Sequence, residues 1–347
     1  MNITVKRNTG RNDLTGMSEN QIRQNKATKE WVIYAPDRGD RPKDFNKQKK
    51  KHELPEHDTH CPFCPGNEDK LTSVLMELPA KNGSWQTRVV PNKFPALIPE
   101  GDPLREAADI YLKMNSYGRH EVIIESPYHN RDIPLMSSDE LNRVIETYHK
   151  RYMDVMRTNK NLIPLIFRNH GERAGTSLLH PHSQLIVTGF VPHHFRWHEI
   201  EAQRYHDEWG KCVFCEMLEY EINKKVRIIH ELETMVAFVP YAADVPFEVW
   251  IIPRTHKADF GKISDDEKSD LVVILQSVLK TFYNKLNDPD YNYMINTSAR
   301  YEAGEPHLHW YFQIRPRLTT RAGFEIGSGI SINPSIPEDD AAFLRDD

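Results

Sequence analysis

Two pairs of closely spaced histidines are the residues of this sequence best suited to chemistry. His180 and His182 lie in the segment HPHSQ, which ends at Gln184, and His307 and His309 form a second pair near the end of the chain. A neutral imidazole can bind a metal ion or attack phosphorus, so one pair could supply both a ligand and a nucleophile. Because the chain has 17 histidines, the spacing to other ligands must decide which histidine does what.

The four cysteines form two C-x-x-C pairs, Cys61 with Cys64 and Cys212 with Cys215. Such a pair supplies two thiolates to a tetrahedral zinc site, and two histidines commonly complete the site. Four sulfur and nitrogen ligands also favour zinc over iron. A glutaredoxin-like redox motif is the alternative for CPFC, but it would leave the second pair unexplained.

One repeated spacing supplies the missing histidines. His129 precedes His180 by 51 residues, and His256 precedes His307 by 51 residues as well. We therefore predict two zinc ions per chain, bound at closed sites that hold loops in place. Their ligands are Cys61, Cys64, His129 and His180 in the first site and Cys212, Cys215, His256 and His307 in the second.

The sequence around these ligands repeats with an offset of 127 residues. EVIIE aligns with EVWII, SSDE aligns with SDDE, and the two H-x-H segments also align at this offset. We interpret the pattern as a tandem duplication, with domains at residues 1–195 and 196–347. Each repeat combines apolar strands with one long helix, which is typical of an α+β fold with helices packed on a sheet.

If His180 binds zinc, His182 is left free for a reaction. Alternate residues of an extended chain share a face, so His182 and Gln184 should point the same way. Upstream, GERAGTS contributes small residues and the Ser177 hydroxyl, which suit an anion. We predict His182 as a nucleophile toward phosphorus, and a histidine of the core is the alternative. The second repeat lacks the Gly-Thr-Ser segment, so that copy is predicted to be structural.

Composition and charge argue against two other classes of protein. The formal net charge is −5, with 45 basic and 50 acidic residues, which offers no basic surface for nucleic acid. The first residues are too polar for a signal peptide, and no apolar run approaches the length of a membrane span. A cytoplasmic protein without a membrane segment is the expectation.

Longer segments show that the sequence resembles the galactose-1-phosphate uridylyltransferases, the transferase branch of the histidine-triad superfamily. The segments are EWVIYAPDRGDRPKDF (30–45), CPFCPGN (61–67), RVVPNKFPAL (88–97), ESPYH (125–129), FRNHGERAGTSLLHPHSQ (167–184) and PHLHWYFQIRP (306–316). The resemblance implies two tandem histidine-triad-like domains, with mostly antiparallel sheets forming an open half-barrel with packed helices. It also implies a homodimer with active sites at the subunit interface.

The resemblance implies roles for individual residues as well. His182 would take the nucleotidyl group, and Gln184 would bind the transferred phosphate. The transferases carry glutamine at this position, whereas the hydrolases of the superfamily carry a third histidine. The substrate-binding residues implied by the resemblance are Arg38, Arg41, Asn92, Asn169, Gly175, Ser177 and Glu325.

The reaction that the resemblance favours is ping-pong transfer of uridylyl from UDP-glucose to galactose 1-phosphate. The proline in HPHSQ is typical of the uridylyltransferases. The second cysteine pair and the C-terminal segment that begins with AGFEIGSG resemble ADP-glucose phosphorylases instead, which transfer adenylyl to phosphate. Further alternatives are a dinucleoside polyphosphate phosphorylase or hydrolase and a non-enzymatic zinc protein that binds nucleic acid.

Overall fold

The computed structural model describes residues 20–38, 54–81 and 83–345. In chain order the strands of these ranges are β1 (Gln21–Gln24), β2 (Trp31–Tyr34), β3 (Met76–Pro79), β4 (Trp85–Pro91), β5 (Arg105–Ala108), β6 (Tyr111–Met114), β7 (Gly118–Ile124), β8 (Ile163–His170), β9 (His182–Thr188), β10 (Ile228–Glu231), β11 (Met235–Phe238), β12 (Val249–Pro253), β13 (Tyr291–Asn296), β14 (Tyr311–Pro316) and β15 (Ser331–Asn333).

Six α-helices accompany these strands in the described ranges. They are α1 (Ser138–Val155), α2 (His193–Trp209), α3 (Val213–Lys224), α4 (Asp265–Lys285), α5 (Gly323–Ser328) and α6 (Pro337–Arg345). None of the helices described is both long and apolar enough to cross a membrane. The domain boundary predicted after residue 195 falls in the first turn of α2.

One ten-stranded sheet organises the molecule, in the order β10-β11-β12-β14-β13-β8-β9-β7-β4-β3. Every neighbouring pair in it is antiparallel. Five strands come from each repeat, and β8 meets β13 at the centre, where Asn169 pairs with Asn292. The α+β fold with a mostly antiparallel sheet is therefore confirmed.

The two long helices cover one face of this sheet. Ser137 caps α1 and Ser264 caps α4, and each forms a capping box with the glutamate three residues later. These caps place helix starts where SSDE and SDDE predicted them. Fully buried apolar residues of the sheet, such as Ile123 and Leu185, belong to the same core as the apolar stripes of α1 and α4.

The other face of the sheet is less covered at its centre. Phe167, Gln184 and Met294 on three adjacent strands are only half-buried. Since antiparallel partners point to the same side, their printed pairing places all three on one face. A substrate can therefore approach the centre of the sheet from this side.

Candidate active site

Cys61, Cys64, His129 and His180 form one buried cluster, in which the ligand atoms all lie within 4.8 Å of one another. The Cys64 sulfur is 3.5 Å from Nδ1 of His129 and 3.6 Å from Nδ1 of His180. The Cys61 sulfur is also 3.6 Å from Nδ1 of His180. A tetrahedral zinc ion with ordinary bond lengths would separate sulfur and nitrogen ligands by about 3.5 Å. These four residues therefore fit one zinc ion.

Hydrogen bonds around the first cluster prepare its atoms to bind a cation. Nε2 of His180 lies 2.8 Å from the Ser126 carbonyl oxygen and donates to it, so Nδ1 keeps its lone pair. The Phe63 N–H points at the Cys61 sulfur at 3.4 Å. Burial raises the pKa of the Cys61 thiol to about 11, so a thiolate here needs a cation beside it.

A second cluster in the C-terminal half contains Cys212, Cys215, His256 and His309, again with ligand atoms within 4.8 Å of one another. The Cys215 sulfur lies 3.3 Å from Nδ1 of His256 and 3.5 Å from Nδ1 of His309. His309 thus stands where the sequence analysis placed His307, and that assignment is corrected.

The correction arises from the different length of one connection in the two repeats. His180 and His309 each stand two residues before a strand, because β9 begins at His182 and β14 begins at Tyr311. The offset between the repeats is therefore 129 residues at this point, although it is 127 at the helix starts. A constant offset moves the ligand by two positions to the wrong histidine.

His307 and His309 provide a matched test of this corrected ligand set. His307 is buried outside the cluster, with Nδ1 4.0 Å from the Glu305 carboxylate, and only its carbonyl oxygen approaches the Cys212 sulfur, at 3.6 Å. We expect His309→Ala to lose one bound metal ion per chain and His307→Ala to retain it, as measured by elemental analysis. Loss of the metal only in His307→Ala would contradict the correction.

His182 is held so that one ring nitrogen remains available. Its Nδ1 lies 2.8 Å from the His180 carbonyl oxygen and donates to it when the ring is neutral. The lone pair then lies on Nε2, which has no hydrogen-bond partner within the described part of the chain. Phe63, from the first C-x-x-C segment, packs edge-on against the His182 ring with centroids 5.5 Å apart. Burial lowers the pKa of His182 below 6.5, so the ring is neutral at pH 7.

A buried carboxylate anchors the same strand from the opposite face. Glu125 is fully buried and accepts hydrogen bonds from two tyrosine hydroxyls, at 2.7 and 3.2 Å. It also accepts from Ser183 and pairs with Arg168 at 2.9 Å. Because alternate strand residues face opposite sides, holding Ser183 on this side leaves His182 and Gln184 on the open face.

Asn169 and Gly175 lie close to Gln184 on the open face. Gln184 pairs with Phe167, which is two residues before Asn169 on β8. A side chain built on Gly175 would lie 3.7 Å from the Asn169 amide nitrogen, and Gly175 has φ of +93°, which favours glycine. Asn292 donates to Asn169 Oδ1 at 2.9 Å and so fixes the orientation of that amide.

The other residues implied by the resemblance fall at different places. Asn92 joins the Gln184 side of the site, since its amide nitrogen lies 3.1 Å from His120 Nε2, which contacts Gln184. Ser177 is exposed in the loop before β9. Arg41 lies outside the described residues.

Arg38 and Glu325 line one cavity of about 180 Å³, together with Arg315 and other arginines. This cavity adjoins the same end of the sheet as Asn169, because Arg315 pairs with Asn292 and Asn292 pairs with Asn169. Two strand spacings, or about 10 Å, separate Arg315 from Asn169 along this row. The structure thus brings Arg38 and Glu325 together at a cationic cavity.

Sequence reasoning did not identify three residues that shape the site, namely Phe63, His120 and Asn292. Two of them carried a signal in their position. Phe63 lies between the cysteines of the first pair, and His120 is a polar ring directly before the apolar run EVII. Asn292 carried no comparable signal, because its partner is 123 residues away in the chain.

Two family models together match most of the chain. The model of the galactose-1-phosphate uridyl transferase N-terminal domain matches residues 12–192, and that of the C-terminal domain matches residues 198–328. The first of these models alone spans more than half of the sequence. The family resemblance seen in the sequence is therefore confirmed.

Similar proteins carry two different names. An ADP-glucose phosphorylase of Arabidopsis thaliana is 34% identical over 330 residues, covering 94% of this chain and 92% of the relative. A galactose-1-phosphate uridylyltransferase of Thermotoga maritima is 28% identical over 336 residues, covering 94% and 98%. A crystal structure of the Arabidopsis thaliana ADP-glucose phosphorylase with bound ADP-glucose matches with a TM-score of 0.80 and 31% identity, covering 95% of this chain and 99% of the other. The chain therefore belongs to the galactose-1-phosphate uridylyltransferase family, whose named relatives are nucleotidyltransferases.

Proposed function

We propose that the chain transfers a nucleotidyl group by a ping-pong reaction in which His182 carries the group. The observation that carries the proposal is the hydrogen bond from His182 Nδ1 to the His180 carbonyl oxygen at 2.8 Å. It fixes the tautomer in which Nε2 has the lone pair, on the open face of the sheet. A neutral imidazole held in this way is a competent nucleophile toward phosphorus.

The first half-reaction consumes a nucleoside diphosphate sugar. His182 Nε2 attacks the α-phosphorus, a P–N bond forms, and the P–O bond to the β-phosphate breaks. Hexose 1-phosphate leaves with the β-phosphate and the bonding electron pair. The ring becomes positively charged in the intermediate, and the His180 carbonyl oxygen stabilises its Nδ1–H.

The second half-reaction returns the ring to its neutral state. A phosphate oxygen of the acceptor attacks the same phosphorus, a new P–O bond forms, and the P–N bond breaks. Inorganic phosphate as acceptor would give a nucleoside diphosphate, and hexose 1-phosphate would give a nucleoside diphosphate sugar. Donors from the Gln184 and Asn169 amides and the Gly175 backbone would stabilise charge on the phosphate oxygens.

The proposed role of the first metal ion is to position the nucleophile. Cys61, Cys64, His129 and His180 would hold a zinc ion, which would supply a rigid anchor for the start of β9. His180 would bind it through Nδ1 while its carbonyl oxygen accepts from His182. Cys212, Cys215, His256 and His309 would hold a second zinc ion in the other half of the sheet.

For the donor and acceptor we propose ADP-glucose and inorganic phosphate. The support is the higher identity to the ADP-glucose phosphorylase, 34% against 28% for the Thermotoga maritima uridylyltransferase. The second cysteine pair, whose sulfurs lie in one cluster with two histidines, agrees with this choice. Uridylyl transfer from UDP-glucose to galactose 1-phosphate is the second candidate, supported by the proline in HPHSQ.

A matrix of substrates separates these two reactions. ADP-glucose and UDP-glucose are each combined with inorganic phosphate or with galactose 1-phosphate, and the products are separated by ion-exchange chromatography. We expect ADP and glucose 1-phosphate as products of ADP-glucose and phosphate, with at least ~10-fold lower kcat/KM for the other combinations. Turnover confined to UDP-glucose with galactose 1-phosphate would establish the second candidate and contradict the first.

A further inference from the structure

His120 contacts the side chain proposed to bind the transferred phosphate, although it lies on a different strand. It belongs to β7, and its Nε2 lies 2.7 Å from Oε1 of Gln184 on β9. On the other side of the ring, the backbone N–H of Ala96 donates to Nδ1 at 3.2 Å. The ring is thus held from both of its nitrogen atoms.

These two contacts determine which nitrogen carries the proton in the neutral ring. A backbone N–H can only donate, so Nδ1 of His120 must accept from Ala96 and has no hydrogen. The proton of the neutral ring is therefore on Nε2, which donates to Gln184 Oε1. The Asn92 amide nitrogen lies 3.1 Å from the same Nε2, but this contact joins two donors and is not a hydrogen bond.

The orientation of the Gln184 amide follows from this tautomer. With Oε1 bound to His120, the NH2 group turns to the other side of the amide plane. No hydrogen-bond partner for that NH2 group occurs among the residues that the structure describes. Phosphate oxygens only accept hydrogen bonds, so the NH2 group must face the phosphate and the carbonyl oxygen must face away from it.

We propose that His120 is a positioning residue, which turns the Gln184 amide so that its NH2 group binds the transferred phosphate. The inference rests on the proposed function, because it assumes that the phosphate reacts at His182. His120 acts through Gln184 and does not touch the reacting atoms. Without His120, the amide can rotate and present its carbonyl oxygen to the phosphate, which repels it.

A double-mutant cycle tests this dependence of one residue on the other. Wild type, His120→Phe, Gln184→Ala and the double variant are mixed with ADP-glucose or UDP-glucose, and the rate of nucleotidyl transfer to His182 is followed by rapid quench and intact-protein mass spectrometry. Removing one donor to a reacting oxyanion costs on the order of 10²-fold. We expect Gln184→Ala to lose about 10²-fold and His120→Phe about 10-fold or more.

The distinguishing result is the rate of the double variant. If His120 acts through Gln184, His120→Phe slows Gln184→Ala by less than about 2-fold, since the residues act as one unit. His120→Gln keeps an NH2 donor near the position of Nε2 and should recover most of the rate lost in His120→Phe. Metal content and thermal unfolding temperature should match those of wild type in all variants, which a merely structural role would not permit.

Several results would overturn the inference. Multiplying losses in the double variant, wild-type rates in His120→Phe, or no recovery in His120→Gln would each contradict it. If His120→Phe does not fold, His120→Asn replaces it in the same cycle, because the shorter amide does not reach Gln184. Nucleotidyl transfer by the wild type is measured in the same experiment, so failure of the proposed function is recognised separately from failure of the positioning role.

Discussion

Replacing His182 with alanine is expected to reduce nucleotidyl transfer by at least ~10⁴-fold with either nucleotide sugar. The reason is that Nε2 of His182 is the atom proposed to form the bond to phosphorus, and alanine offers nothing in its place. The Nδ1–H contact with the His180 carbonyl oxygen, at 2.8 Å, orients the ring and adds nothing to the metal cluster. Initial rates with saturating donor and acceptor measure the effect.

Two controls separate this loss from a general effect of removing a histidine. Metal content should be unchanged in His182→Ala, because the four ligand atoms of the first cluster come from other residues. His193→Ala removes an exposed histidine at the start of α2 and should keep wild-type rates. Transfer by His182→Ala within about 10-fold of wild type would refute the assignment of the nucleophile.

Replacing Cys64 with serine is expected to remove the first metal ion and to lower the unfolding free energy by more than ~3 kcal/mol. The Cys64 sulfur contacts Nδ1 of both histidines of the cluster, at 3.5 and 3.6 Å, so its loss leaves the buried ligands without their shared partner. Transfer should fall by about 10²-fold or more, since His182 is anchored through the His180 carbonyl oxygen. Elemental analysis, urea unfolding and initial rates measure the three effects.

Cys215→Ser provides the matched control for this variant, because it disrupts the second cluster in the same way. We expect it to lose the other metal ion and to retain the metal of the first cluster. The rate of transfer should fall less than in Cys64→Ser, since the second cluster lies in the other half of the sheet. A stable Cys64→Ser variant with wild-type metal content would contradict the proposed first site.

The first metal cluster and the helix starts could be predicted from the sequence because each depends on short or repeated patterns. A C-x-x-C pair fixes two ligands locally, and the spacing of 51 residues between His129 and His180 selected the other two. The serine caps of α1 and α4 depend on four consecutive residues, so SSDE and SDDE were sufficient. The homodimer remains a prediction from the resemblance.

The second histidine ligand could not be predicted, because the repeats were compared with one constant offset. Tyr311, and not His309, stands at the first position of β14, which corresponds to His182 in β9. Gln313 then corresponds to Gln184, but its NH2 group donates to Glu248 at 2.7 Å. The second half thus has a tyrosine in place of the nucleophile and an amide that is already bound.

The role proposed for His120 could not be found in the sequence for a different reason. Its partners Ala96 and Gln184 are 24 and 64 residues away along the chain. The tautomer depends on the direction of one backbone N–H, which only the folded chain defines. Hydrogen bonds of this kind carry no periodic pattern, and periodic patterns were the main evidence for the fold.

The central claim is that His182 carries a nucleotidyl group during the reaction. The most direct measurement is intact-protein mass spectrometry after incubation with ADP-glucose or UDP-glucose in the absence of any acceptor. We expect an increase in mass equal to one nucleotidyl group per chain, located on His182 by fragmentation and reversed when the acceptor is added. An enzyme that turns over these substrates without forming the adduct, or that carries the adduct on another residue, would contradict the account.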